Sequence, residues 1–174
     1  MLTVERAVPH DAAGIYEVMR ATWIATYPVP PLGISEDDIR AIVESNPAGR
    51  IERWRQAIER PEHTILVARE RHHVVGYVAP FFDETAAQQR LGALYVLPEF
   101  QGKGWGGALL AAALDAIGRD RDIYLHVASF NVSAIDFYRH FGFEETGVDT
   151  SGSTITRSGV VVPELEMVRR AATS

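Results

Sequence analysis

The segment Leu94-Tyr95-Val96-Leu97-Pro98-Glu99-Phe100-Gln101-Gly102-Lys103-Gly104-Trp105-Gly106-Gly107 constrains the fold of this chain more than any other. Leu91 to Leu97 is apolar on both faces, as an interior strand is. Pro98 stops the strand, and a glycine-dense turn opens directly into a helix over Gly104 to Gly118. That helix carries Leu110, Ala113, Leu114 and Ile117 on one side. Glycines let successive main-chain N–H groups converge on one point with no side chains in the way. A helix start adds unpaired donors and a partial positive charge. Together they make an anion site suited to a pyrophosphate. The helix lacks a Ser, Thr, Asp or Asn cap, which ordinarily stabilises by about 1 kcal/mol, and no acid follows until Asp115. Free N–H groups, with Lys103 adding charge, fit a ligand phosphate; a plain strand-to-helix connection rich in glycine fits the same residues.

The turn has no Gly-Lys-Ser/Thr ending, so it lacks the magnesium-binding hydroxyl of a Walker loop. Gly102, Gly104 and Gly107 satisfy G-x-G-x-x-G, but a dinucleotide fold requires an acid at the end of the next strand. Ser129 and Phe130 stand there. One crossover after the turn is also too few for a doubly wound sheet.

Around this unit the chain reads as one domain over 1–174. Leu2 to Val8 is a first strand, and Asp11 caps a helix to about Tyr27 with Ile15, Val18, Met19 and Trp23 on one stripe. Pro28 to Gly33 ends it. Ser35 with Asp38 is a capping-box-like start for a helix to about Ser45, and Arg50 to Arg60 is another helix, closed by Pro61. Thr64 to Ala68 and Val74 to Phe82 form a hairpin about Arg69 to His73. After the glycine turn and its helix come a strand (Ile123 to Ala128), a short helix (Ser133 to His140) and two late strands (Phe143 to Thr150, Val160 to Arg169). This order predicts a mixed α/β (α+β) sheet with one βαβ crossover and flanking helices.

Composition narrows the function. With 47% hydrophobic and 23% charged residues the chain is globular. Its apolar runs fall short of the roughly 18 residues that span a bilayer, and MLTVERAV lacks the apolar stretch of a signal peptide. No membrane association and a cytoplasmic location are expected. The chain has no cysteine, which excludes disulfides, thiolate zinc sites and a cysteine acyl-enzyme. His72 and His73 are the only close histidine pair, and neighbours on a strand point to opposite faces, so no metal is expected. A formal net charge of −6 argues against nucleic acid. It suits a cationic or amine ligand, and equally a protein kept soluble by acidic residues.

Two motifs in register carry a resemblance. Leu94-x-Val96-x-Pro98 followed by Gln101-Gly102-Lys103-Gly104-x-Gly106 resembles the Gln/Arg-x-x-Gly-x-Gly motif of the GNAT superfamily of N-acetyltransferases. Asn131-Val132-Ser133-Ala134-Ile135-Asp136-Phe137-Tyr138-Arg139-His140-Phe141-Gly142-Phe143 resembles its second signature. The likeness runs from about Thr64 to the C-terminus. It implies a mostly antiparallel central sheet and acetyl-CoA as cosubstrate. Backbone groups of Leu94, Tyr95 and Val96 would run along the pantetheine arm, and Gln101, Gly102, Lys103, Gly104, Trp105, Gly106 and Gly107 would hold the pyrophosphate. Asn131 would bond the cofactor nearby. The implied reaction is direct acetyl transfer to a primary amine: a polyamine, a protein N-terminus or another small amine. A non-catalytic acyl-CoA-binding or regulatory domain of the same fold is the other reading. Such proteins often pair through late strands, so a homodimer is implied as well.

Acyl transfer requires an uncharged amine and a proton for the departing thiolate. At pH 7 neutralising a lysine-like amine costs about 4.6 kcal/mol, and an α-amino group about 1–1.5 kcal/mol. The resemblance places Tyr138 as the acid, since a tyrosine is protonated at neutral pH; a core aromatic beside Phe137, Phe141 and Phe143 is the other role it fits. In the ribosomal-protein branch of the superfamily a glutamate base lies five residues before the matching asparagine, and His126 stands there. Histidine titrates near neutrality and suits a base, and it suits a structural hydrogen bond as well. Thr22-Trp23-Ile24-Ala25-Thr26-Tyr27 resembles the first-helix ending of polyamine-acetylating relatives. Trp23 and Tyr27 would stack on a cationic amine, or pack in the core at their i, i+4 spacing.

Overall fold

A computed structural model describes residues 3–118, 120–150 and 159–172. Its elements are β1 (Thr3–Arg6), α1 (Ala12–Thr26), α2 (Glu36–Val43), α3 (Pro47–Glu59), β2 (Leu66–Glu70), β3 (His73–Asp83), β4 (Gln88–Val96), α4 (Trp105–Ile117), β5 (Ile123–Ala128), α5 (Val132–His140), β6 (Glu144–Thr150) and β7 (Glu164–Arg169). Leu2, expected to open the first strand, lies outside the described residues. The strands form one seven-stranded sheet in the order β1-β2-β3-β4-β5-β7-β6. Every neighbouring pair is antiparallel except β4 and β5, which α4 connects as a parallel crossover. The expected mixed, mostly antiparallel sheet with a single crossover is the one observed.

Alternate residues of each strand divide between two apolar layers. Val78, Val96, Leu125 and Val127 pack with Leu109, Leu110 and Ala113 of α4 and with Ile135 and Tyr138 of α5. Val67, Tyr77 and Ala128 pack with Ile15, Val18 and Met19 of α1 and with Ile39 and Val43 of α2. The sheet is therefore covered on both sides.

The helix starts follow their residues with one exception. Ser35 Oγ accepts from the Asp38 N–H at 3.1 Å, and Asp38 Oδ2 accepts from the Ser35 N–H at 3.2 Å, a complete capping box. α3 begins earlier than its apolar pattern suggests, because Asn46 Oδ1 caps the Gly49 N–H at 3.0 Å and Pro47 sits at the first helical position. Asp11 is the exception, for it does not cap α1 with its side chain. Its carboxylate turns back to accept from the Val8 N–H at 2.8 Å and pairs with Arg69 Nη2 at 2.5 Å while only 2% exposed. A buried carboxylate needs a cation more than a helix start needs a cap. β3 and β4 also extend past their apolar stretches, through Phe82-Asp83 and Gln88-Gln89-Arg90, around a turn in which Ala87 takes φ +51°.

Candidate active site

The parallel strands β4 and β5 pair at only two positions, Gln89 with Ile123 and Arg90 with Tyr124, and then part. Against β3, Ala79 faces Ala93 while Pro80 faces Leu91, so Gly92 is an extra residue on β4. Such a bulge bends its strand and turns it away from a neighbour. The wedge beyond it opens on a cavity of about 560 Å³, walled by β4 from Leu91 to Val96, by His126 to Ala128 of β5, by the glycine turn and by α5.

Peptide directions along β4 suit an extended guest. The Leu97 N–H donates to the Val75 carbonyl at 2.8 Å. Main-chain groups alternate along a strand, so those of Leu94 and Val96 face away from β3, into the wedge. The Val96 carbonyl is already met there by Gln101 Nε2 at 3.0 Å and Thr22 Oγ1 at 3.4 Å. Both its lone pairs are thereby used, and the Val96 N–H and the two groups of Leu94 remain for a ligand.

The glycine turn supplies the donors. Gly104 stands at the N-cap of α4 with φ +87° and makes no side-chain cap. The Ala108 N–H is the first to bond back, to the Gly104 carbonyl at 3.0 Å. Among the described residues, no main-chain acceptor meets the N–H groups of Gly102 through Gly107. No atom lies within 4 Å of a Cβ built on Gly102 or Gly104. Unbonded amides and uncrowded glycines thus gather at a helix start on the cavity lining, the arrangement an anion requires.

Three residues of the turn serve it in different ways. Gln101 spends its N–H on the Pro98 carbonyl at 3.2 Å and its side chain on Val96, so it braces the turn and the free run starts at Gly102. Lys103 Nζ donates to the Glu99 carbonyl at 2.7 Å and lies 5.2 Å from the centre of the Phe100 ring. Its charge stays beside the turn, outside the cavity lining. The Trp105 side chain is buried in the core against Phe100, away from the cavity lining. Asn131 lines the cavity and caps α5, its Oδ1 accepting from the Ala134 N–H at 3.2 Å. Its Nδ2 remains to donate.

Tyr138 projects from α5 into this cavity, its ring edge-on to Phe137 and Phe143. It packs in the core and lines the cavity at once, so the two roles open to it in the sequence are compatible. Burial first, and the nearby Tyr95 second, push its phenol above the usual tyrosine range. Tyr27 and Tyr95 are likewise raised, chiefly by burial. All three hydroxyls are therefore held protonated as donors.

His126 lines the same cavity from β5. Its Nε2 lies 3.1 Å from Arg90 Nη1 and 3.4 Å from Glu166 Oε2. A guanidinium only donates, so the shorter contact assigns Nε2 as the acceptor and leaves the ring proton on Nδ1, 4.0 Å from Glu164 Oε2. Arg90 is itself held by Glu166 at 3.1 Å and Asp83 at 3.3 Å. The sequence reading missed Arg90, Glu164 and Glu166. The last two reach His126 through the β5–β7 register, in which Glu166 faces His126 and Glu164 faces Ala128.

On the opposite wall Tyr27 lines the cavity, its ring 4.9 Å from that of Trp23 and 6.3 Å from that of Phe130. Trp23 faces a second hollow beyond Tyr95. Among the described residues no group of His, Asp or Glu is arranged to hold a metal ion, and no helix is long and apolar enough to cross a membrane.

Comparison with known proteins places this geometry. Residues 61–145 match the acetyltransferase (GNAT) domain model. An uncharacterized N-acetyltransferase of Bacillus subtilis (strain 168), YhfO, is 32% identical over 94 residues, which are 51% of this chain and 63% of that relative. The match thus spans less than two thirds of the relative's length. The PaiA N-acetyltransferase of Thermoplasma acidophilum, solved in complex with coenzyme A, shares the fold with a TM-score of 0.77 at 22% identity, over 98% of this chain and 99% of that one. The ribosomal-protein-S18-alanine N-acetyltransferase of Escherichia coli does so with a TM-score of 0.68 at 18% identity, over 100% and 96%. The matched residues take in the wedge, the glycine turn and α5, which line the cavity together with α1, and over them this chain is similar to the acetyltransferase (GNAT) domain.

Proposed function

We propose that this protein moves the acetyl group of acetyl-CoA directly to a primary amine. The carrying observation is that the glycines of the turn with unfilled amides (Gly102, Gly104, Gly106 and Gly107), the wedge between β4 and β5, and Tyr138 all line one cavity. The residues present fit the cosubstrate: the amides match a pyrophosphate, and the N–H of Val96 and the peptide groups of Leu94 match an extended amide-bearing arm. Acetyl-CoA supplies the activated thioester carbonyl.

The chain's own groups do the rest. Tyr27, Tyr95 and His126 surround the place where the amine nitrogen must stand. The nitrogen bonds to the carbonyl carbon, the carbon–sulfur bond breaks, and Tyr138 gives its proton to the sulfur. His126 takes the proton that the amine loses, once Arg90 yields Nε2 and rests on Gln88, Glu166 and Asp83, its other partners. The absence of cysteine supports direct attack over an acyl-enzyme.

The test is release of CoA thiol from acetyl-CoA with a panel of amines, corrected for hydrolysis. Amine-dependent release supports the transferase. Tight acetyl-CoA binding with no release for any amine leaves a binding domain instead.

A further inference from the structure

Beyond Tyr95 lies a second hollow of about 340 Å³, between α1, α3 and the β3–β4 ribbon. Its walls are aromatic: Trp23 of α1, Trp54 of α3, Tyr77 and Phe81 of β3, and Tyr95 of β4. None of the described residues lining it is Asp, Glu, Lys or Arg; His63 is the one imidazole there. The His63 ring nitrogen Nδ1 lies 3.1 Å from the Ala57 carbonyl, which fixes its proton on that atom. The hollow and the active-site cavity share Gly92, Ala93 and Tyr95 as a common wall. Phe81 is 46% exposed at its mouth. A Cβ on Gly92 would stand 2.8 Å from the Phe81 ring, so the bulge glycine lets that ring lie against β4 at the junction of the two spaces.

We propose that this hollow is the acceptor-specificity site and that it takes the apolar body, aryl or branched alkyl, of the amine being acetylated. This rests on the transferase reading above. An amine nitrogen at the wedge has two directions to send its substituent. One is along the wedge, where the cosubstrate lies; the other is over Tyr95 and Gly92 into the aromatic hollow. An apolar group there is desolvated against five aromatic rings. A second ammonium, as on a polyamine, would enter a space with no carboxylate among its described lining residues to receive it. The preferred acceptor is therefore an arylalkyl or similarly apolar primary amine rather than a polyamine. Of the two roles the sequence leaves to Trp23, a platform for a cationic amine or part of the apolar packing, the proposal takes the second.

Phenethylamine and spermidine are the probes, tested with the full chain, with Phe81→Ala and with Trp54→Ala. Wild-type kcat/KM should favour phenethylamine by roughly ten-fold or more, and each substitution should lower it for phenethylamine by roughly ten-fold, the scale on which apolar pockets discriminate. The KM for acetyl-CoA and the spermidine value should stay put. Equal falls for both amines, no falls, or a wild-type preference for spermidine would overturn the proposal. A second readout separates it from the transferase reading: the Trp54 indole N–H resonance should shift on adding phenethylamine without acetyl-CoA, and should not in Phe81→Ala. If that shift occurs while no amine is acetylated, the transferase reading fails and the binding site stands. If amines are acetylated with the Trp54 signal unmoved, the hollow is not the acceptor site.

Discussion

Arg90 reaches from β4 to β5 and donates from Nη1 to His126 Nε2 across 3.1 Å. The contact assigns the ring proton to Nδ1, on the side of Glu164. Long-range proton–nitrogen spectra should show Nε2 unprotonated in the native protein. In Arg90→Ala the proton should move to Nε2, which then donates to Glu166, 3.4 Å away. A protonated Nε2 in the native spectrum would contradict the assignment. His126→Ala should lower kcat/KM by about a hundred-fold, and an unchanged value would remove His126 as the base.

Replacing Tyr138 with Phe should lower kcat by about a hundred-fold with acetyl-CoA affinity intact. The ring stays among Phe137 and Phe143, and only the proton donor is lost. Burial disfavours the phenolate and raises the Tyr138 pKa, so the acid form persists to higher pH than for an ordinary tyrosine near 10. The kcat profile should therefore stay level up to about pH 10; a Tyr138-dependent fall between about 8 and 9 would rule out this assignment. The same sign governs stability. A raised folded-state value leaves stability intact below about 10 and erodes it as pH climbs further. Thermal melts across alkaline pH would record the decline.

Gly104→Asp should separate stability from binding. The new side chain enters open space, since nothing lies within 4 Å of its Cβ. A carboxylate at the helix start offsets much of the roughly 1 kcal/mol that a side chain costs at this positive φ. The melting temperature should move by only a few degrees. Coenzyme A affinity should fall at least roughly ten-fold, because a fixed negative charge stands where the diphosphate would sit. Calorimetric titration measures it, and unchanged affinity would remove the glycine turn from the cosubstrate site.

Arg69→Ala should destabilise the protein by about 2–4 kcal/mol, since it leaves the 2%-exposed Asp11 carboxylate without its cation. In a chain of this size that is about 5–12 °C in melting temperature. The double variant Asp11→Asn/Arg69→Met should recover part of the loss. A single Arg69→Ala as stable as the native chain would show that the pair contributes nothing.

The features legible in the sequence are those whose cause is local. The bare start of α4 could be read because it is made of glycines and missing caps at adjacent positions. Ser35 and Asp38 announced α2 for the same reason. Asn46-Pro47 carried an equally local signal for the start of α3 that an apolar count overlooked. Other features depend on partners far along the chain. Asp11 looks like a cap until Arg69, 58 positions away, comes alongside. Glu164 and Glu166 join His126 only through the β5–β7 register, and no spacing within the sequence encodes a register. The polar stretch Gln88-Gln89-Arg90 hides the start of β4, because those residues serve the hairpin and the Arg90 cluster rather than a core. Trp23 kept its helix stripe, but the hollow it faces is completed by Trp54 and Phe81 from other elements.

The two rungs between β4 and β5 divide the sheet into a ribbon of four strands and a ribbon of three, stitched at one end of their shared seam. Along the unstitched length, main-chain groups of β4 face a gap they cannot close alone. An elongated guest that lies in the seam becomes an extra strand, and its departure reopens the sheet. Loading and tightening are then one event. Amide exchange along Leu94 to Val96 and the facing part of β5 should report occupancy as directly as turnover does.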